Sequence, residues 1–428
     1  MKAIKACLFL LFFFPGVVLM SQTTINSPYS RYGLGEMHGK NINTKIRGMG
    51  GISIGMWSPG MVNPANPASY GKIDSAAFVL DASIFGVFVN HRTSFQSENS
   101  NLITLNYLFF GFPVTRWWRT SLGVMPFSKI GYDVKITVDM SQYNFNNVIN
   151  SIDGSGGLNQ FYWGNGFNIG KHLRLGFDAT YLFGEGRRSS MVYFPDSAYI
   201  VGTKTQNNTI GSDFIFDYGA QYDIPVGKDQ VLTLGVIYAN SFNLNARRSS
   251  IAYTLNGGFN GDVEIPFDTL LYVPETKGTI LLPSRFGFGA VFRKPEKWMI
   301  GIDYEWQNWK KFKSFGQTDS LDNSWRIAVG GQITPNHTSL SSLLKRMTYR
   351  AGFHYNDSYL SLLGHPINNY GITFGVTFPI KRSKTTIDFS FEIGKRGTMK
   401  DNLIQENYVQ FSLAVAIFEN WFQKRRYR

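Results

Sequence analysis

The residues that could act as nucleophiles, bases or metal ligands are few and scattered in this sequence. It contains one cysteine, Cys7, and six histidines: His38, His91, His172, His337, His354 and His365. Hydrolases place a serine or cysteine beside a base, and zinc sites need histidines or cysteines at short spacing. No helical His-x-x-x-His pair occurs, and no serine can be assigned to a histidine base. The sequence therefore predicts no catalytic residue, no metal site and no cofactor, and hence not an enzyme.

The first residues predict export from the cytoplasm. Lys2 and Lys5 precede an apolar run from Leu8 to Met20, and the small residue Ser21 offers a cleavage site. This is the pattern of a secretory signal peptide, which we assign to residues 1–21. Cleavage removes Cys7, so the mature chain is expected to hold no disulfide or thiolate site.

The chain is basic, with 42 Lys and Arg against 29 Asp and Glu. A high basic content often indicates nucleic-acid binding, but here the charges are scattered and the chain is exported, so we expect no nucleic-acid partner. The densest basic cluster, Lys424 to Arg428, lies in a predicted periplasmic tail, 420–428. We expect it to meet an anionic headgroup surface or a partner.

An alternation with a period of two runs through the C-terminal part of the chain. Small or charged residues separate the apolar side chains Trp298, Ile300, Ile302, Tyr304 and Trp306. The pattern returns at 370–378, 387–393 and 409–417. Successive side chains of a strand point to opposite faces, so these stretches predict strands with one apolar and one polar face.

Two architectures fit such strands. A soluble sandwich would bury the apolar face, whereas a transmembrane barrel turns it to lipid. Strand-like segments recur along most of the chain and number about fourteen, an even number as in bacterial barrels. The sequence therefore predicts an all-β, antiparallel transmembrane barrel of about 14 strands, formed by residues 73–419.

The predicted connections alternate in length. Those at 111–117, 168–172, 223–230, 293–297 and 379–384 are short, whereas those at 131–156, 187–209 and 241–282 are long. Outer-membrane barrels have short periplasmic turns and long outer loops. We therefore expect the Gram-negative outer membrane, with both termini periplasmic and lipid as a neighbour.

The strand-poor stretch 22–72 is interpreted as a plug, or hatch, inside the barrel. It is too long for a linker and too apolar for a disordered arm. Its glycines are not followed by the Lys-Ser/Thr of a phosphate loop. Its end is compact and rich in turn-forming residues: Asn63, Pro64, Ala65, Asn66 and Pro67.

Three features resemble the FadL family of outer-membrane transporters for hydrophobic compounds. The predicted plug ends in Asn63-Pro64-Ala65, repeated as Asn66-Pro67-Ala68, and the third strand reads Leu122-Gly123-Val124-Met125-Pro126-Phe127. The strand count agrees as well. Ser128 stands where the family usually has glycine. The Gln-initiated mature end and the closing tail are similar to FadL-like proteins of Bacteroidetes.

The resemblance implies passive uptake of a hydrophobic small molecule, such as a fatty acid. In that family a kink in the third strand opens a lateral gap, which assigns a wall-kink or gate role here to Pro126, Phe127 and Ser128. A proline in a barrel strand also fits a bulge at the rim that has no function. Apolar residues of two predicted loops are candidate landing sites for the ligand: Val148, Ile149, Ile152, Tyr359, Leu360, Leu362 and Leu363.

A second function stays open from the sequence. Some FadL-like barrels of Bacteroidetes act in type IX protein secretion as partners or cargo shuttles and carry no lipid. In that case the outer loops would bind a secretion-system protein. A tightly filled lumen would favour that role, and an apolar pocket near Pro126 would favour transport.

Overall fold

The computed structural model describes residues 27–75, 77–140, 147–197, 199–256, 263–339, 341–381 and 383–420. The predicted signal peptide and the basic tail beyond residue 420 lie outside these residues. Helices are short: α1 (Thr44–Arg47), α2 (Leu343–Arg346) and 3-10 turns at Pro28–Arg31, Pro67–Lys72, Trp309–Lys311 and Lys400–Asn402. Within the described ranges, no helix has the length and apolar character needed to span a membrane.

Strands make up most of the chain. They are β1 (Glu36–Met37), β2 (Ala77–Arg92), β3 (Ser97–Pro113), β4 (Trp118–Pro126), β5 (Ser128–Asp139), β6 (Asn147–Ile169), β7 (Leu173–Tyr193), β8 (Gly202–Val226), β9 (Gln230–Ala239), β10 (Phe242–Leu255), β11 (Pro266–Leu282), β12 (Arg285–Lys294), β13 (Trp298–Gln307), β14 (Lys313–Ser314), β15 (Ser324–Ile333), β16 (Thr348–Asp357), β17 (Ser361–Leu362), β18 (His365–Pro366), β19 (Asn369–Pro379), β20 (Thr386–Arg396) and β21 (Gln405–Asn420).

The strands form a closed antiparallel barrel of 14 strands, as predicted. Three of the barrel strands are interrupted, so that each is made of two successive segments. These pairs of segments are β4 and β5, β9 and β10, and β11 and β12. Closure comes from β2 and β21, which pair from Ala77 opposite Asn420 to Arg92 opposite Gln405. Closure leaves no free edge at this seam, which a membrane-spanning sheet requires.

The alternation in the sequence separates the outside of the barrel from the inside. Ile300, Ile302 and Tyr304 of β13 are 57%, 46% and 43% exposed, whereas Asp303 between them is buried. The same holds in β19, where Ile372 and Phe374 are exposed and Thr373 is buried. The exterior thus carries an apolar belt and the interior collects the polar side chains.

The connections alternate as expected, but the long ones are not loops. Short turns at 114–117, 170–172, 227–229 and 295–297 mark one end of the barrel, which we call the short-turn side. At the other end, the hairpin side, strands continue through most of 131–156, 187–209 and 241–282. The loop assignment was wrong there because strands that rise out of the membrane are wet on both faces and lose the apolar alternation.

Residues 27–73, the N-terminal segment, lie inside the barrel. Its side chains and backbone form hydrogen bonds with inward-facing residues of strands on opposite sides of the barrel. Examples are Asn43 with Asp81 of β2 at 2.9 Å and the N–H of Ile54 with Asp303 of β13 at 2.9 Å. Met49 and Ile52 are completely buried in an apolar cluster with Val291 and Ala328. The barrel core is therefore made jointly by this segment and the wall.

Candidate functional site

The wall is interrupted in the third barrel strand, where β4 ends at Pro126 and β5 begins at Ser128. Before this point β4 pairs with β3, and the last ladder pair joins Leu108 to Val124. Beyond it β3 continues outward to Ser97 along β2, but no described strand pairs with its other edge. Pro126 has no backbone N–H to donate. A gap therefore lies beside the free edge of β3.

The continuing strand β5 pairs with the N-terminal segment. Glu36 of β1 lies opposite Lys129, and the N–H of His38 donates to the carbonyl oxygen of Phe127 at 2.9 Å. Farther along, the N–H of Ser27 donates to Gly131 O at 3.0 Å. On its other edge the third strand stays paired with β6. The outer part of the third strand has thus left the second strand and moved inward.

Glycines allow the neighbouring strands to follow this movement. Gly156 and Gly157 of β6 have φ of 101° and 136°, and Gly184 of β7 has φ of 155°. A Cβ on Gly157 would lie 2.3 Å from the carbonyl oxygen of Ser128, and one on Gly184 would lie 2.2 Å from Gly157 O. Only glycine fits these positions. The glycines of β6 and β7 therefore lie side by side next to Ser128 of β5, in a row that we call the glycine line.

Two cavities lie behind the gap, on either side of residues 36–39, which we call the strap. The larger has a volume of about 640 Å³ and is lined by Leu105 of β3 and by Pro126 and Ser128 of the third strand. The smaller, of about 280 Å³, is lined by Phe127 and by residues of the hairpin side, such as Tyr359. The strap thus divides an interior space whose larger part borders the gap.

The gap opens into the apolar belt. Phe88 of β2 and Ile103 of β3 are each 49% exposed on the outer face. Leu105 is 60% exposed and also lines the larger cavity. Leu105 therefore belongs both to the cavity lining and to the exposed part of β3, which brings the cavity close to the outer surface of the barrel there.

The strap is held by few contacts. Glu36 forms an ion pair with Arg396 at 2.6 Å, and the hydroxyl of Tyr359 donates to Gly35 O at 3.0 Å. His38 borders both cavities, and its Nε2 has no hydrogen-bond partner within the part of the chain that the structure describes. Burial, which outweighs the nearby Glu36 carboxylate, lowers the pKa of His38 to about 4. The imidazole is therefore neutral at pH 7.

Two cations face the larger cavity without a carboxylate partner. The guanidinium of Arg47 lies 4.3 Å from the centre of the Phe85 ring, and Lys129 is in β5 beside the gap. Among the described residues neither forms an ion pair. The carboxylates of Glu36, Glu185, Glu305 and Glu392 also line this cavity, so its polar side carries both signs of charge, while Leu102, Leu105 and other apolar residues form its other side.

The remainder of the N-terminal segment is fastened by buried charges. Lys40 lies 3.0 Å from Asp178 and 2.8 Å from Asp217, and Arg285 lies 3.1 Å from Asp217. Burial alone would lower the pKa of Lys40, but the two carboxylates raise it above its ordinary value. Lys45 adds an ion pair with Asp388 at 3.5 Å. These contacts join the segment to strands on different sides of the barrel.

The predicted plug residues Asn63, Pro64, Ala65, Asn66 and Pro67 are all buried. Asn63 Oδ1 accepts from the N–H of Ala65, and Asn66 Oδ1 accepts from the N–H of Ala68, each at 3.1 Å. Their Nδ2 groups donate to Ser53 O and Ile54 O, each at 2.7 Å. The repeated Asn-Pro pair therefore forms two side-chain-stapled turns that fix the fold of the segment.

The candidate landing residues fall into two separate places. Tyr359, Leu360 and Leu362 pack in an apolar cluster on the hairpin side, and the first two also line the smaller cavity, whereas Leu363 is 72% exposed. Val148, Ile149 and Ile152 lie in β6, not in a loop, and Ile149 packs against a different cluster that contains Tyr193. Only the first group adjoins the predicted gate residue Phe127.

One hydrolase-like motif escaped the reading of the sequence. Residues Gly51-Ile52-Ser53-Ile54-Gly55 have the Gly-x-Ser-x-Gly spacing. The hydroxyl of Ser53 donates to Asp303 at 3.3 Å, and no described histidine bonds to it. The described residues also hold no group of three metal-ligating side chains.

The sequence did not predict the strap, the free edge of β3 or the glycine line. For the glycine line, the run Gly154-Ser155-Gly156-Gly157 was a visible signal.

Comparison with known proteins adds two findings. A sequence model of the BamG family matches residues 3–428. Among solved structures, the toluene transporter TodX of Pseudomonas putida has a TM-score of 0.60 at 14% identity, covering 92% of this chain and 100% of its own. The toluene transporter TbuX of Ralstonia pickettii (TM-score 0.58, 13% identity) and a FadL homologue of Pseudomonas aeruginosa (0.57, 12%) each cover 89% of this chain and 98% of their own. No curated protein matches. The shared feature is the fold.

Proposed function

The chain belongs to the BamG family, and from this premise and the geometry of the wall we propose that it conducts amphipathic molecules sideways into the membrane. The passage is the gap between β3 and the third strand, with the larger cavity behind it. The barrel lies in the outer membrane with its short-turn side, where β21 ends, toward the periplasm, whereas the first described residue, Ser27, bonds β5 on the hairpin side of Pro126. The observation that carries the proposal is Leu105, which belongs both to the cavity lining and to the exposed part of β3.

The cavity suggests the class of molecule. Its apolar residues lie near the gap, and Arg47 and Lys129, which form no ion pair among the described residues, supply positive charge beside the carboxylates that also line the cavity. A long-chain fatty acid fits this arrangement, with its chain toward Leu105 and its carboxylate toward the two cations. A charge-assisted hydrogen bond is worth about 1.5–3 kcal/mol. One such contact therefore corresponds to about a tenfold change in affinity or more.

The experiment follows uptake of a labelled fatty acid into cells or liposomes that carry the barrel. Leu105→Trp fills the gap and is expected to reduce uptake about tenfold, equivalent to 1.4 kcal/mol. Ile103→Trp is the matched control, because Ile103 lies on the same outer face but does not line the cavity. Equal uptake by both variants and the parent would contradict lateral passage.

The head-group assignment has its own test. Lys129→Ala and Arg47→Ala are expected to weaken binding of a fluorescent fatty acid to the purified barrel about tenfold each. The corresponding fatty alcohol, which lacks the carboxylate, should bind the variants and the parent alike. Loss of alcohol binding in the same variants would show damage to the cavity and not loss of a charge contact.

A second function, as a membrane-anchored partner or cargo shuttle in protein secretion, is favoured by a different part of the molecule. The β10–β11 hairpin rises on the hairpin side and exposes large apolar residues on both faces, including Phe267, Leu271 and Tyr272. Such a patch on a soluble surface commonly marks a protein interaction site. This role requires no ligand path. Normal protein secretion by cells that carry the Leu105→Trp variant would therefore favour it.

A further inference from the structure

The strand β11 has an open edge above the barrel. From Pro266 to Leu282 one edge pairs with β10, but the other meets only β14, at Ile280 and Leu281. No other described strand pairs with the outer part of this second edge. Its backbone N–H and C=O groups are therefore available for hydrogen bonding.

The protection of this edge lies mainly at the ends of its outer run, where Pro266 and Asp268 stand at one end and Pro274 at the other, with bulges in the pairing to β10. Leu270, Leu271 and Tyr272 are 57%, 51% and 68% exposed, so both faces of the strand are bare and apolar. Residues 269–274 read Thr-Leu-Leu-Tyr-Val-Pro and contain no charge. Natural sheets protect long edges with charged side chains, bulges or covering elements. Such an edge is expected to be covered when the protein works.

The opposite edge of the same sheet provides an internal comparison. The strands β5, β6, β7, β8, β10 and β11 form one continuous sheet on the hairpin side, with β5 at the other end. Residues 133–139 of β5 read Asp-Val-Lys-Ile-Thr-Val-Asp, so charges occur at intervals along that edge. Of the two ends of this sheet, the β11 edge is the one with an uncharged run.

We propose that the outer edge of β11 between Pro266 and Pro274 docks an extended segment of a partner protein, which adds to the hairpin as a further strand. The footprint is the seven residues 267–273, because the flanking prolines have no N–H to donate. At about 3.4 Å per residue, the added strand spans about 24 Å. This inference deepens the partner function above and does not depend on lateral passage.

The direction of the strand argues against a second copy as the occupant. Every copy in one membrane has its β11 running from the tip toward the bilayer. The β11 strands of two such copies are therefore parallel to each other. A two-fold axis along the membrane normal would bring the same edge of each strand together. These strands cannot form the regular ladder of an antiparallel pair. An antiparallel partner must run outward, and a segment of another protein is free to do so.

Charge at the two ends specifies the segment further. Asp268 lies at the outer end of the footprint, and Lys277 with Arg247 lies at the inner end. Among the described residues neither Asp268 nor Lys277 forms an ion pair, while Arg247 is partnered by Glu275 at 3.3 Å. A complementary antiparallel segment is acidic at its N-terminal end, uncharged in its centre and basic at its C-terminal end.

The test uses the full-length barrel in nanodiscs and a labelled peptide, Glu-Thr-Val-Thr-Val-Thr-Val-Lys. Binding is expected to slow hydrogen exchange at least tenfold at those amides of 267–273 that point to the free edge, with no change along β5. The same peptide with its inner amides N-methylated keeps the side chains but loses the donors, and should not bind. Equal binding of the methylated peptide would overturn pairing by a ladder.

Variants complete the design. Leu270→Lys with Tyr272→Lys charges the β11 edge at exposed positions, and Ile136→Lys with Val138→Lys does the same on β5. The first pair is expected to weaken peptide binding at least tenfold and the second to leave it unchanged. Equal effects of both pairs would overturn the site. Protection of 267–273 that rises with barrel concentration, without peptide, would identify a second copy as the occupant and overturn the proposed partner.

Discussion

Two parts of the N-terminal segment are held in the barrel by different kinds of contact. Residues 40–73 are mostly buried, and ion pairs and stapled turns join them to strands around the wall. The strap, 36–39, borders two cavities and is held by a two-residue ladder with β5 and the ion pair of Glu36 with Arg396. The first part, which we call the floor, is fastened at many buried points, whereas the strap is fastened at few.

The difference indicates which part of the segment can move at a small cost in free energy. Breaking a buried ion pair by removing one partner costs about 3–5 kcal/mol, which is a large fraction of the stability of most proteins. Releasing the strap breaks one partly exposed ion pair, Glu36 with Arg396, and a few backbone hydrogen bonds, each of which contributes about 1 kcal/mol net. We infer that ligand passage moves the strap and leaves the floor in place.

The largest effect is expected from the floor. Asp217→Ala removes a carboxylate shared by Lys40 and Arg285, and we expect a loss of about 3–5 kcal/mol in the free energy of unfolding. Urea titration of the barrel in bilayers, followed by tryptophan fluorescence, measures this loss. Asp322→Ala breaks an exposed pair with Lys310 and should cost less than about 1 kcal/mol. Equal costs would remove the distinction between floor and surface.

The glycine line comes next. Gly157→Ala places a Cβ against the carbonyl oxygen of Ser128 at a φ of 136°, and we expect a cost of about 1–3 kcal/mol from backbone strain, with a further term for the clash. Gly170→Ala is the control, since no atom lies within 4 Å of its added Cβ, and its cost should be about 1 kcal/mol. The same urea titration compares them. A smaller loss for Gly157→Ala would show that the backbone is not constrained there.

A smaller and local effect is expected in the strap. Glu36→Gln removes the charge that pairs with Arg396, and the amides of 36–38 should exchange about tenfold faster, a change of 1.4 kcal/mol in local opening. Global unfolding should change little. Glu185→Gln is the control, because Glu185 forms only an exposed pair with Arg187. Faster exchange throughout the floor in Glu36→Gln would show that the two parts open together.

The smallest effect is a pH dependence of the strap. The pKa of His38 is about 4 in the folded chain, below its ordinary value of 6.5, so the neutral form favours the closed strap. Stability from this group is complete above pH 6.5 and is lost as the pH falls toward 4. Exchange at the strap, after correction for intrinsic rates, should therefore accelerate over this window. His38→Gln should abolish the acceleration, and persistence of the acceleration would assign it to another group.

The sequence predicted the membrane-embedded part of the barrel well. Strands such as β13 and β19 were visible because lipid on one face and the interior on the other impose a strict alternation. Pro126 was identified as a break because its missing N–H is a local property. The ladder between β3 and β4 ends two residues before Pro126, and the gate role of Pro126 stays a prediction.

The features that the sequence did not predict depend on contacts between distant parts of the chain. The outer halves of β5 to β8 were interpreted as loops, since both faces are wet and no periodicity remains. The strap pairs Glu36 with Lys129, a contact that no local pattern reveals. The roles of Arg47 and Lys129 likewise arise from what the fold leaves unpaired around the cavity.

The free edge of β3 has a consequence for the bilayer itself. From Ser97 to Tyr107 this edge has no ladder partner among the described strands, yet Ile103 and Leu105 beside it face the apolar belt. Unpaired backbone groups are not stable in hydrocarbon, where each costs several kcal/mol. We infer that water from the larger cavity reaches these backbone groups along the edge. Under the proposed lateral passage, such a hydrated seam would also lower the barrier for a polar head group to enter the leaflet.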